Sequence, residues 1–330
     1  MKRIILLLLL AFSGLAAWLI SPPRPPADRV VAVLQYTDNN LSTLEGFLEG
    51  LRQSGYVEGE NLTLVFEGPV QRKEDLIPAM QQLLRHRPDL IFASPTPAAK
   101  IAADLTRESG IPVLFAPVND PVASGVVLDQ RRPEANITGV RLPPSEGRRL
   151  QSLQEVAPHV HTVFVPYNPE DSSARASLNQ LFTVAPDLDV TLLTKPFSVQ
   201  TDPAKPGYVP AEADAVFLPR EGLVMSRIDD FVEVCNARGL ALSTPRYEQV
   251  ILGALTGLGF MGREVGQQAA RMGRLLLIGT PVAGIPVETA REYLFVNMDT
   301  AERIGLTVPE TVLRRASRII RTPPPREGEP

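Results

Sequence analysis

What this 330-residue chain has little of already narrows its chemistry. Cys235 is the only cysteine, so no intrachain disulfide can form. A cysteine-based structural zinc site needs several thiolates and is excluded with it. The only tryptophan is Trp18, and the only histidines are His86, His159 and His161. His159 and His161 stand two apart but read as a surface loop ending at a strand, so no metal is expected. Neither sign of charge dominates: 33 basic and 37 acidic residues leave a formal net charge of −4. No long basic run interrupts the balance, which argues against a nucleic-acid partner. A G-x-S-x-G nucleophile elbow and a G-x-x-x-x-G-K-[ST] phosphate loop are both missing. Gly257, Gly259 and Gly262 do spell G-x-G-x-x-G. A dinucleotide fingerprint follows the first strand of its unit, whereas this one comes late with no suitable acidic residue downstream. Asp229-Asp230 reads as a solvated helix face. With no nucleophile–base arrangement, neither an enzyme nor a cofactor is expected.

Hydrophobic residues make up 44% and charged residues 21%, the balance of a globular chain. At roughly 100–200 residues per domain, the length predicts two domains. The 32 prolines point to sharply punctuated connections. Lys2 and Arg3 precede an apolar run over residues 4–20, the pattern of an export signal. Gly14 and Ala16 offer small residues for a cleavage site. The run also just reaches the length of a short membrane span, roughly 17–25 residues, so it is either cleaved or kept as a single anchor. The proline-rich spacer over residues 21–26 follows it. No cysteine lies nearby to carry a lipid. Residues 1–28 are therefore set apart, and the protein is expected outside the cytoplasm.

After the spacer, strand and helix patterns alternate. Residues 29–36 are apolar and β-branched. Leu41, Leu44, Phe47, Leu48 and Leu51 follow at helical spacing, with Gly55 placed to stop the helix. Residues 61–66 read as a strand, 76–84 as a helix, 90–93 as a strand, 98 onward as a helix and 113–115 as a strand. The alternation restarts with strands at 161–166, 190–193, 215–218 and 240–242 and helices over 174–184 and 223–237. Residues 195–210 read as a proline-rich loop and 322–330 as a disordered tail. The expected fold class is α/β: two Rossmann-like lobes, each with a parallel sheet built from right-handed crossovers.

Open parallel sheets bind ligands beyond the carboxyl ends of their strands. At four such ends a capping residue precedes a proline: Thr96-Pro97, Asp120-Pro121, Asn168-Pro169 and Thr244-Pro245. Helix starts of this kind present free N–H groups and suit a carboxylate or phosphate. They also cap helices in any α/β fold.

Several segments, in this order and spacing, carry a resemblance. They include residues 46–51 (GFLEGL), 55–61 (GYVEGEN), 96–99 (TPAA), 119–122 (NDPV), 136–140 (NITGV), 167–169 (YNP), 253–255 (GAL), 266–270 (GQQAA), 285–288 (IPVE) and 304–309 (IGLTVP). Over residues 29–320 the chain resembles the ABC-transporter substrate-binding proteins of the group that includes tryptophan- and tyrosine-binding members. The resemblance implies a type I periplasmic-binding-protein fold, with hinge crossings between two lobes. Residues 29–141 and about 255–292 would form the first lobe; 142–254 and about 293–321 would form the second. It implies a ligand site in the interlobe cleft at Gln35, Tyr36, Thr37, Ser94, Thr96, Asp120 and Asn168. Where relatives often carry Asp-Asn and Asp-Tyr, this chain has Glu221-Gly222 and Met261-Gly262. Glu221 and Glu248 are candidate replacements as partners for a ligand ammonium, or else surface carboxylates. Tyr36, Phe115, Tyr167 or Tyr247 would pack against an apolar part of the ligand. The implied function is capture of an amino acid or related small carboxylate for an ABC permease. The alternative is a membrane-anchored sensing or interaction module on the same fold.

Overall fold

Strand β1 (Arg29–Gln35) shows how residue pattern becomes a two-faced layer. Val31 and Val33 join a buried cluster with Leu44 and Phe47, while Ala32 and Leu34 join another with Leu76, Met80 and Ala102. Alternate residues thus face opposite sides, and both sides are covered, as in parallel sheets generally. The computed structural model describes residues 27–133 and 136–322. The expected export signal, the spacer and the expected tail beyond Thr322 lie outside the described residues. Among those described, no helix is long and apolar enough to cross a membrane.

The first sheet runs β11 (Glu288–Thr289), β5 (Ile137–Arg141), β4 (Val113–Val118), β3 (Leu90–Ser94), β1 and β2 (Leu62–Val65), with every neighbouring pair parallel. Helices α1 (Leu41–Gln53), α2 (Leu76–Leu84) and α3 (Thr96–Thr106) alternate with its strands. The second sheet runs β13 (Arg318–Ile320), β12 (Tyr293–Asn297), β10 (Thr256–Phe260), β9 (Ala241–Arg246), β8 (Ala215–Phe217), β6 (Thr162–Tyr167) and β7 (Thr191–Pro196). Only β10 and β12 pair antiparallel. Its helices include α4 (Glu146–Val156), α5 (Ser172–Val184), α6 (Gly222–Met225), α7 (Ile228–Arg238) and α8 (Tyr247–Ile251). Helix α9 (Gly262–Leu277) returns to the first sheet, and α10 (Met298–Arg303) and α11 (Glu310–Arg315) complete the second lobe. Both faces of each sheet are packed with apolar side chains. The fold is α/β, with two parallel-dominated sheets.

Two expectations change. The chain crosses back to the first lobe near residue 261 rather than 255, because residues 256–260 pair with β9 and β12 of the second sheet. The helix expected over 223–237 is two helices, α6 and α7, interrupted at Ser226 and Arg227. The late glycine pattern proves to be a packing device. A Cβ on Gly259 would stand 1.6 Å from Pro245 O, and one on Gly257 2.6 Å from Thr244 O, so β10 lies too close to β9 for any side chain there. Gly262 opens α9 against Ser42 and Glu248.

Candidate functional site: the cleft between the sheets

In each sheet the strand order reverses once, between β1 and β3 in the first and between β6 and β8 in the second. Such reversals open a crevice at the carboxyl ends of the strands. The two crevices face one another across a shared cavity. The first lobe lines it with Tyr36 and Thr37 after β1, Pro95, Thr96 and Pro97 at the start of α3, and Pro117 and Asn119 at the end of β4. The second lobe brings Asp171 and Ser173 at the start of α5, then Arg220 and Glu221 between β8 and α6 and Gly222 opening α6, with Pro245 and Phe260. The cleft is narrow, with about 60 Å³ in which the centre of a water molecule fits. It adjoins a wider recess of about 280 Å³ bordered by Tyr36, Lys73, Thr96, Lys100, Asn168 and Asp171.

The charge in the cleft is acidic. Glu221 is buried, and its carboxylate accepts from Leu223 N and Val224 N, both at 2.7 Å, capping α6. Burial first, and then the charge of Asp171, push its carboxyl up to about 7 against the pull of those two N–H groups. The Tyr36 hydroxyl is raised as well, by burial and then by Asp171 and Glu221. Arg220 offers no free counter-charge. Its guanidinium donates to Pro143 O and Ser145 Oγ and pairs with Glu292 at 3.1 Å and Glu146 at 3.8 Å. Opposite the carboxylates, the start of α3 points a helix N-terminus toward the cavity's first-lobe wall, a setting that suits an anion. The remaining walls mix apolar or aromatic groups (Tyr36, the four prolines, Leu142, Met225 and Phe260) with the uncharged polar Thr37, Asn39, Asn40, Asn119 and Ser173.

Of the expected site residues, Tyr36, Thr37, Thr96 and Glu221 line this cavity. Gln35 does not. It is fully buried, and its Nε2 donates to Thr37 O at 3.0 Å. That bond supports a strained residue, since Thr37 has φ 58° and ψ 168°, a conformation that strongly favours glycine. Ser94 lies beside Gln35 in the β1–β3 register and is fully buried beneath the cavity. Asp120 is exposed and caps its own turn, accepting from Val122 N at 3.1 Å and Ala123 N at 3.0 Å. Asn168 accepts from Glu170 N at 3.0 Å and borders only the wider recess. Glu248 is occupied where the chain crosses back between lobes, accepting from Ser42 Oγ at 2.8 Å and Gly262 N at 3.0 Å. Of the aromatic candidates, Phe115 is core, Tyr167 packs against the second lobe's apolar cluster, and Tyr247 packs against Phe295 with ring centroids 5.0 Å apart and planes tilted by 47°.

Asn39, Asn119, Asp171, Ser173 and Arg220 escaped the sequence reading. Asn119 stands one residue before the chosen Asp120. Asp171 precedes two serines as a helix cap, and its side chain accepts from Ser173 N, so the capping rule reaches it. Nothing local marks Asn39, because its partner is 183 residues away.

Known proteins share this fold. A tyrosine-binding protein from Clostridioides difficile (strain R20291) is 24% identical over 264 residues, covering 79% of this chain and 76% of its own. An ABC domain from Streptococcus pneumonia, solved in complex with L-Trp, superposes with TM-score 0.82 at 22% identity, over 89% of this chain and all of that one. A ligand-free, open substrate binding protein with adhesive properties from Clostridium difficile superposes with TM-score 0.67 at 23% identity, over 88% of this chain and 98% of that one. These likenesses establish the fold, a type I periplasmic-binding-protein architecture. The match that reaches family level runs over residues 30–320 and takes in both sheets and the cleft between them. By that match, this chain belongs to the ABC transporter substrate binding protein family.

Proposed function

We propose that the cleft captures a zwitterionic α-amino acid for delivery to an ABC permease. One observation carries the reading: a helix start and a pair of carboxylates face each other across a single cavity whose walls include Tyr36, four prolines, Leu142, Met225 and Phe260. The α3 start with Thr96 takes the ligand carboxylate. Asp171 and Glu221 take the ammonium, and the aromatic and proline walls take the side chain. The tyrosine- and L-Trp-binding relatives support this chemistry. At nearly equal coverage the chain superposes better on the L-Trp complex than on the open, ligand-free protein, which supports reading the narrow cleft as a closed one. The lobes part to admit the solute and close on it. The family is one of solute-binding proteins rather than enzymes, and such proteins work outside the cytoplasm. Residues 4–20 serve as the export signal or as an inner-membrane anchor, which N-terminal sequencing of the exported protein distinguishes.

Calorimetric titration of the exported protein with amino acids, and with the same acids lacking the amine, tests the reading. At least one amino acid should bind, and at 100 times its Kd should stabilise the fold by about 2.7 kcal/mol. Removing a charge-assisted contact by Glu221→Gln should weaken it roughly 10- to 100-fold. Asp120→Ala should leave affinity unchanged. Equal binding of the deaminated analogue would remove the ammonium from the proposal.

A further inference from the structure

Two side-chain amides of the first lobe reach across the cleft and end on main-chain carbonyls of the same short turn. Asn39 Nδ2 donates to Gly222 O at 2.7 Å, and Asn119 Nδ2 donates to Arg220 O at 3.0 Å. Glu221 lies between the two acceptors. Asn39 Nδ2 also donates to Thr37 Oγ1 at 3.3 Å, which ties it to the strained residue at the cleft edge. From behind, the Arg220 guanidinium holds the same turn to Pro143, Ser145 and Glu292. Those three residues sit on two crossings between the sheets, the one after β5 and the one between β11 and β12. The turn is therefore anchored to the crossings on one side and gripped by the opposite lobe on the other.

We propose that Asn39 and Asn119 are a latch that closes the cleft without a ligand and so sets affinity and residence time rather than ligand choice. Both acceptors are backbone carbonyls, so the grip depends on the position of the turn and not on what occupies the cavity. Each bond is a half-buried amide–carbonyl pair exchanged for water when the lobes part, worth roughly a fivefold bias toward closure. The pair together gives about a 25-fold bias, and apparent affinity scales with the fraction of molecules already competent to bind. The affinity part of this inference rests on reading the cleft as the solute site; the closure part does not.

Asn39→Asp and Asn119→Asp keep side-chain size and remove the donors. Asn39→Ala and Asn119→Ala remove them without adding charge, and thermal melts by circular dichroism verify folding of all four. Small-angle X-ray scattering of the exported, ligand-free protein should show expansion in each variant and most in the double variants. Unchanged ligand-free scattering in both double variants overturns the latch. With any amino acid that binds, the dissociation rate should rise roughly fivefold per amide lost, with the ranking of amino acids preserved. A changed ranking would make the two residues ligand contacts and overturn the proposal. If no amino acid binds, the solute reading fails while the scattering result still decides closure.

Discussion

Glu221 has two demands on one carboxylate: it caps α6 with its oxygens and sits where water has been removed. Burial is the stronger, so its carboxyl rises to about 7. A carboxyl raised on folding binds more protons in the folded than in the unfolded chain at mildly acidic pH. Its contribution to stability is full below the ordinary carboxylate range and is lost as pH rises toward 7. The ligand-free protein should therefore lose melting temperature between about pH 5 and pH 7.5, and Glu221→Gln should flatten that slope. Amino-acid affinity should move the other way, rising with pH as the carboxylate ionises opposite the ammonium. Melting curves and calorimetric titrations across this range check both signs. Asp120 marks the limit of reading sites from capping residues. It has the sequence context of a site residue, but it is exposed and does not line the cleft, and its Oδ1 caps its own turn by accepting from Val122 N and Ala123 N.

The contact between α1 and α9 illustrates the same gap between pattern and outcome at the scale of elements. Leu44, Phe47 and Leu51 were legible as one buried face of α1 from spacing alone. The glycines within it were not legible as a contact, because what they meet lies more than 200 residues further along the chain. A Cβ on Gly46 would stand 2.0 Å from Arg263 O, and one on Gly266 2.0 Å from Thr43 O. In a free helix Gly→Ala stabilises by up to about 1 kcal/mol. Here the obstruction is backbone, which cannot rotate away, so Gly46→Ala should reverse the sign and destabilise by about 1–3 kcal/mol, as read from urea unfolding. Glycines 257 and 259 follow the same rule on β10. Their spacing imitates a dinucleotide fingerprint, and their cause is close strand approach.

Across the whole molecule, a buried ionic group joins the second lobe to the crossings. Arg149 is fully buried, stacks 3.7 Å over the Phe217 ring, donates to Leu218 O and pairs with Glu146 at 2.9 Å. Burial pulls its guanidinium down to about 9, with Glu146 opposing the change. Glu146 also accepts from Ser177 Oγ and faces Arg220, which reaches Glu292. Removing Arg149 leaves the buried Glu146 with only the more distant Arg220 as a charged partner, 3.8 Å away. Arg149→Met should therefore destabilise the fold by about 3–5 kcal/mol, and adding Glu146→Gln should recover part of the loss in chemical denaturation. The cleft-lining role of Arg220 follows from this network. Its charge is spent on the crossings, which leaves the cavity acidic.

The order of strands and helices over residues 29–118 and 161–242 was legible because each element's apolar spacing is local. The class of fold follows from that alternation, since short, fully apolar strands must be covered on both faces. The family resemblance pointed to an interlobe cleft; Tyr36, Thr37 and Thr96 were named from it and Glu221 as a departure from its pattern, and all four line the cavity. Only the tertiary structure decided which polar residues meet there. Asp171 and Glu221 converge from different strand ends, Glu248 is occupied at a crossing, and Asn39 meets Gly222 O across a separation of 183 residues. Spacing along a chain encodes which face a residue occupies, but not which distant group will share that face. In a cleft made from two lobes, the distant group determines the chemistry.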